Sequence, residues 1–373
     1  MKKILVVLLS IMMIFSLTSC GKKEVNKDYS VAMISDNKDI YDGSFNQTIY
    51  ESLKKFCEDN SVNYRYYIKE GDTLKKKVDT IKKAIDDKYN VIVLPGSDFS
   101  DSLKEVADKY SDVKFISIDV SNEELGSYKL TDNVYCASYQ EEIAGFMAGY
   151  AAVKLGYKNL GFLGGAEYPA IKRYGYGFVQ GAENAASELK IKDVNIKFGY
   201  VNQFNGDEHV TSYMNQWYKD GTEVVFSCGG PIYTSVAEAA INNGGKIIGV
   251  DVDQSYIIDS SGTGTTLTSA MKSMGLSIET VLDDMVNNNN WINYGGKCET
   301  LGLVSADDPE ANFVKIPMDT TQWNETFTQD DYKDLVSKLF NKEIKVSSYI
   351  NNIPKVKQIS VDYLGNINTK MKD

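Results

Sequence analysis

From residue 31 onward the chain alternates short unbroken apolar runs with longer amphipathic segments. Residues 31–35, 64–68, 91–94 and 114–119 read as strands, with helices at 44–59, 73–87 and 98–110 between them. The pattern resumes with helices at 140–155, 171–189, 207–219 and 232–243, alternating with strands at 160–164, 196–201, 224–227 and 246–250. Continuous Val/Ile/Leu/Phe runs suit parallel strands covered on both faces, and the helices supply right-handed crossovers. The expected class is α/β, doubly wound. Two such runs, 28–135 and 138–250, are each domain-sized. Beyond residue 265 come a helix at 271–286, extended pieces at 298–304 and 313–317, and a helix at 329–340. That block is too short to fold alone, so it completes one or both lobes and the domains are discontinuous.

In such sheets ligands bind at the carboxyl ends of the strands. The residues there are Asp36, Pro95-Gly96-Ser97 and Asp119 in the first run. The second run offers Gly164-Gly165, Phe204, Gly229-Gly230 and Asp251-Val252-Asp253. Acids, an aromatic and paired glycines describe a polar-ligand pocket with close backbone approach.

The start of the chain is an address. Lys2 and Lys3 precede an apolar run over 4–17 that ends in Leu17-Thr18-Ser19-Cys20-Gly21. A basic start, a short apolar run and small residues make a secretory signal. The run is too short for a membrane span. The ending resembles the lipobox of bacterial lipoproteins, which implies a signal peptide over 1–19, lipid on Cys20 and a polar tether over 20–28.

Composition narrows the partners. The net charge is −11, which disfavours a nucleic-acid backbone. Arg65 and Arg173 are the only arginines, so candidates for a bidentate clamp on phosphate or carboxylate are few. Cys57, Cys136, Cys228 and Cys298 show no metal spacing and sit in or beside apolar stretches, where small buried hydrophobes are expected. With His209 the single histidine, neither a zinc site nor a histidine-based triad is expected.

Several segments carry a family pattern: Asp36…Asp42-Gly43-Ser44-Phe45-Asn46-Gln47, Phe115-Ile116-Ser117-Ile118-Asp119, Gly161-Phe162-Leu163-Gly164-Gly165 and Tyr174…Gly177-Phe178…Gly181. Gly229-Gly230, 248–255 and Thr268-Ser269-Ala270-Met271-Lys272 continue it. Over about 28–285 the chain resembles the basic membrane protein (PnrA-like) family of solute-binding lipoproteins, which is similar to type I periplasmic binding proteins. The resemblance implies two Rossmann-like lobes, a three-strand hinge and a cleft. It places 29–137 with about 268–300 in lobe 1, and 138–267 with about 301–373 in lobe 2. It implies a lipid-anchored, extracytoplasmic, monomeric receptor on the cell membrane that delivers a nucleoside, purine above all, to ABC permease subunits. No cofactor, metal or catalytic residue is implied.

By the same resemblance Phe45 stacks on the base, Asn46 bonds its edge and Asp119 reads it. Asp251 and Lys272 hold the ribose hydroxyls beside the Gly230 amide, and Asp36 matches a family aspartate after the first strand. Phe204 is the candidate for the second aromatic face by strand-end logic; its rival, Phe178, lies inside a helix and suits the core. The chain departs from the family pattern at Asn37-Lys38, Asn205-Gly206-Asp207 and Pro231.

Blander roles exist. Asp119 and Asp251 could be helix caps, though neither directly opens a clear helix. Phe45 could be a core staple, and Lys272 a solvated helix residue. The run Gly175–Gly181 is spaced wrongly for a dinucleotide loop, and 251–255 lacks the glycine and glutamate of a calcium loop. Gly145…Gly149 fits a membrane-dimer spacing, but its charged flanks favour a soluble helix packed closely on a sheet. The alternatives to a nucleoside receptor are a simple sugar or flavin-like ligand in the same fold, and a nucleoside hydrolase.

Overall fold

A computed structural model describes residues 26–35 and 40–368. The leader, Cys20 and Asp36 fall outside them. Along the chain come β1 (Asn26–Ser35), α1 (Phe45–Asp59), β2 (Val62–Ile68), α2 (Leu74–Asp86), β3 (Val91–Pro95), α3 (Ser100–Ala107), β4 (Lys114–Ile118), α4 (Asn122–Leu125) and β5 (Val134–Tyr139). The second lobe opens with α5 (Glu141–Lys154). It continues through β6 (Asn159–Gly164), α6 (Pro169–Leu189), β7 (Val194–Tyr200), α7 (Glu208–Lys219), β8 (Val224–Cys228), α8 (Tyr233–Asn243), β9 (Lys246–Asp251), α9 (Ser255–Ile258) and β10 (Thr266–Lys272). The chain then returns to the first lobe for α10 (Met274–Val286), which packs on α1, and β11 (Lys297–Leu301). It finishes in the second lobe with β12 (Val314–Lys315), α11 (Gln329–Phe340) and β13 (Ile359–Asn366).

One sheet runs β11-β5-β4-β3-β1-β2, all parallel, and the other β12-β10-β9-β8-β6-β7-β13, parallel except at β12. This is the expected type I binding-protein architecture. β3 and β8 are buried at every position, as strands covered on both faces must be. In both sheets the strand order reverses at the first strand of the lobe, between β1 and β3 and between β6 and β8. Residues that follow β3 and β8 line one cleft. Three connections join the lobes, at 139–141, 272–274 and 301–314, and the first and third are tied where Gln140 N–H donates to the Leu301 carbonyl at 2.9 Å.

Four details depart from the sequence reading. Strand β1 opens at Asn26, so the last three residues of the expected tether are strand. Residues 271–272 are not helical: they end β10, in register with β9 in the second sheet. Lys272 is therefore a buried strand residue of the second lobe, not a first-lobe or solvated helix residue. Strands β5, β10 and β13 escape the pattern because small and polar residues interrupt their apolar runs. In β10, Thr268 and Ser269 are buried with partners supplied from far away, Thr321 at 2.7 Å and the Gln254 amide at 3.1 Å.

The fourth concerns the close-packed glycines, which meet a helix. Gly145 and Gly149 of α5 lie against α6, whose Gly177 and Gly181 lie reciprocally against α5. A methyl group on any of the four would sit 2.0–2.1 Å from a carbonyl oxygen of the facing helix. The two backbones touch directly, and α5 also covers β10. Among the described residues no helix is long and apolar enough to cross a membrane.

Candidate functional site

The cleft between the lobes has a volume of about 580 Å³. Its walls bring together Phe45, Asn46, Asp119, Phe204, Gly230, Asp251 and Lys272, residues spread over more than two hundred positions. Asp36 lies outside the described residues, and Phe178 is fully buried in the core.

Asp119 and Asp251 occupy matching places, one just past β4 and the other at the end of β9. Both hold left-handed backbone conformations, φ +61° and +68°. Aspartate tolerates this region better than most residues, but it is still unfavourable, so the surrounding fold must hold it there. Neither caps a helix: the caps of α4 and α9 are Ser121 and Gln254.

Lys272 lies between these two acids. Its ammonium donates to Asp119 Oδ2 across the cleft and lies 3.4 Å from Asp251 Oδ1 and 3.8 Å from Glu141 Oε1. The rings of Phe45, Tyr139 and Tyr174 surround it, their centroids 4.9, 5.7 and 5.7 Å away. Burial opposes its charge, but Asp119, Asp251 and Glu141 outweigh that and hold its pKa above the ordinary lysine value. Burial raises the pKa of Asp251 and of Glu141, and the nearby cations only partly offset it. The cluster sets three carboxylates against two cations, Lys272 and Arg173.

Glu141 and Arg173 escaped the sequence reading as site residues. Glu141 opens α5 directly after the first lobe connection, is fully buried, and accepts a hydrogen bond from Arg173 Nε at 2.6 Å. In sequence it is one more acid in a helix's first turn, a feature of countless exposed helices. Asp42 also went unassigned. It accepts from the amides of Ser44, Asn46 and Gln47 at 2.9, 3.0 and 3.2 Å, ordering the start of α1. An acid two to five positions ahead of a helix's first amides was the available signal.

Asp42 also orients Asn46. A carboxylate only accepts, so the Asn46 Nδ2 group donates to Asp42 Oδ2 at 2.9 Å, and Oδ1 is left as a buried acceptor without a partner. Asp119 Oδ1 is likewise buried and without a partner. Two residues of the cleft lining thus carry unpartnered acceptor oxygens, atoms whose chemistry suits N–H donors.

Across the cleft, Phe204 is partly exposed and packs beside Tyr168, ring centroids 5.6 Å apart. Gly165 makes room for it: a side chain there would sit 2.8 Å from the Phe204 ring. Asp207, one of the departures from the family pattern, caps α7 by accepting from Val210 N–H at 2.8 Å. The lobes also meet where Ser44 donates to Asp251 at 3.2 Å and Gln254 to the Gly43 carbonyl at 3.2 Å. Among the described residues no cluster of His, Cys, Asp and Glu could hold a metal ion.

Comparison with known proteins places the chain in a family. Residues 29–349 match the family model described as ABC transporter substrate-binding protein PnrA-like. Basic membrane protein A2 of Borrelia garinii is 29% identical, with 93% of this chain and 96% of that protein covered. The ABC transporter nucleoside-binding protein BmpA of Lactococcus lactis is 26% identical, covering 70% of this chain and 76% of that one. A solved ABC transporter solute-binding protein from Aeropyrum pernix superposes with a TM-score of 0.65 at 20% identity, over 85% of this chain and 87% of that one. It shares the fold.

Proposed function

The chain belongs to the PnrA-like family of ABC transporter substrate-binding proteins, which bind rather than convert their substrates; from that premise we propose that it captures a nucleoside, a purine nucleoside above all, in the cleft and delivers it to an ABC permease. The observation that carries this reading is the composition of the cleft wall. An aromatic face at Phe45 stands beside two unpartnered acceptors, Asn46 Oδ1 and Asp119 Oδ1. A base has a π face to stack and N–H groups to donate. Behind them, Lys272 and Asp251 offer a donor and an acceptor to sugar hydroxyls. Phe204 and Tyr168 provide the second aromatic wall. The uncompensated carboxylate of the buried cluster disfavours a phosphate on the ligand. The Lactococcus relative is named a nucleoside-binding protein, which points the same way.

Calorimetric titration with adenosine, guanosine, inosine and ribose tests the ligand. Nucleosides should bind and free ribose compete poorly. Phe45→Ala should weaken nucleoside binding by about 1–3 kcal/mol, the worth of one stacked base. Ribose binding as tightly as the nucleosides would instead establish a sugar receptor.

Lipid on Cys20 holds the mature chain at the outer face of the cell membrane, where it works as a monomer. Cys20→Ala should appear in the medium or remain unprocessed. A cleaved Cys20→Ala chain that stays on the membrane would overturn the anchor, and sedimentation of the lipid-free chain reads its oligomeric state.

A further inference from the structure

One polar group in the cleft is used by none of the chemistry above: the hydroxyl of Tyr174. Tyr174 sits on α6 next to Arg173 and is 1% exposed. Its ring is held edge-on to Phe226, centroids 5.9 Å apart and planes at 89°. The Lys272 ammonium lies over the same ring. The residue lines the cleft beside Asp251 and Cys228, yet its hydroxyl is buried without a hydrogen-bond partner. A buried O–H in that condition is costly, and such groups normally find partners.

The state of that hydroxyl is set by its surroundings. Burial, and then the charges of Asp251 and Glu141, hold its pKa well above the usual tyrosine value. It is therefore a lasting donor. Asp251, which lines the same cleft and after burial does most to raise that pKa, is an acceptor. A ligand group that serves both must accept one hydrogen bond and donate another. A hydroxyl does so. An ammonium cannot accept, and a carbonyl, ether or unprotonated ring nitrogen cannot donate.

We infer that Tyr174 and Asp251 form a donor–acceptor pair that reads a sugar hydroxyl of the bound nucleoside, making Tyr174 a specificity-determining residue that selects ribonucleosides over a deoxy counterpart. The inference rests on the nucleoside reading above and adds to it a residue and a selectivity.

The test is a titration of wild type and Tyr174→Phe with one ribonucleoside and its 2′-deoxy and 3′-deoxy forms. Phenylalanine keeps the ring against Phe226 and removes only an unpartnered polar atom, so the thermal midpoint of the ligand-free variant should equal or exceed that of wild type. Wild type should prefer the ribonucleoside to at least one deoxy form. Tyr174→Phe should bind the ribonucleoside roughly two- to tenfold more weakly, the worth of a neutral hydrogen bond. It should bind that deoxy form as wild type does, so the preference collapses. Unchanged ribonucleoside affinity in Tyr174→Phe, or an equal loss for all three ligands, would overturn the role of Tyr174 while leaving the nucleoside reading intact. A wild type that binds none of the three overturns both.

Discussion

Replacing Lys272 with methionine is expected to destabilise the protein by about 3–5 kcal/mol and to abolish nucleoside binding. The side chain is of similar length, so the effect comes from the charge. Asp119, Asp251 and Glu141 are buried around the ammonium, and its removal leaves like charges facing one another in a poorly solvated site. Breaking a buried ion cluster from one side costs this much because the remaining charges lose their counter-ion. The pH dependence follows from the raised pKa values of Asp251 and Glu141. A carboxyl whose folded pKa lies above its unfolded one disfavours folding once the unfolded chain ionises. The deficit of Lys272→Met should therefore grow as pH rises above about 4, the ordinary carboxyl value, and be smaller at pH 4.5 than at pH 7. Denaturant unfolding of both proteins at pH 7 and pH 4.5 measures it. Adding Asp119→Asn to the variant should return part of the stability and none of the binding. A loss below about 1 kcal/mol at pH 7 would mean that water reaches the cluster and the lobes are not joined through it.

A single methyl group on α5 provides the second large effect. Helix propensity alone says that Gly149→Ala should stabilise the protein by about 0.5–1 kcal/mol. The packing says the opposite. The new carbon would sit 2.1 Å from the Phe178 carbonyl oxygen and 2.9 Å from its carbon, both backbone atoms that no side-chain rotation can move away. The helices must separate by more than an ångström, and α5 and α6 also carry Glu141, Arg173 and Tyr174 to the cleft. Gly149→Ala should lose at least about 3 kcal/mol, the upper end of overpacking penalties, and ligand affinity should fall with it. The sign of the change in unfolding midpoint decides between the two arguments. A stabilised variant would mean that the helices do not meet backbone to backbone.

Most of the fold was legible because its signal is local. Unbroken apolar runs bounded by amphipathic helices depend only on which residues stand a few positions apart, and they gave the elements and the doubly wound class. The strand-end rule likewise singles out Asp119 and Asp251, since an acid closing a Val/Ile run is visible in the chain itself. What could not be read was anything whose stability comes from a distant partner. Strand β10 looks unpromising because Thr268 and Ser269 interrupt it, and only Thr321 and Gln254 make their burial tolerable. The same interruption hides the place of Lys272, which meets Asp119 across 153 positions and the gap between two lobes. Glu141 and Arg173 are unremarkable in sequence, and they pair only because four glycines let α5 and α6 approach to backbone contact. The sequence by itself determined the periodicities, hence the strands, helices and crossovers, because hydrophobic patterning acts within a few residues. The tertiary structure alone decided which charges face one another in the cleft, because ion pairing and hydrogen bonding there depend on how two separately folded lobes are held together.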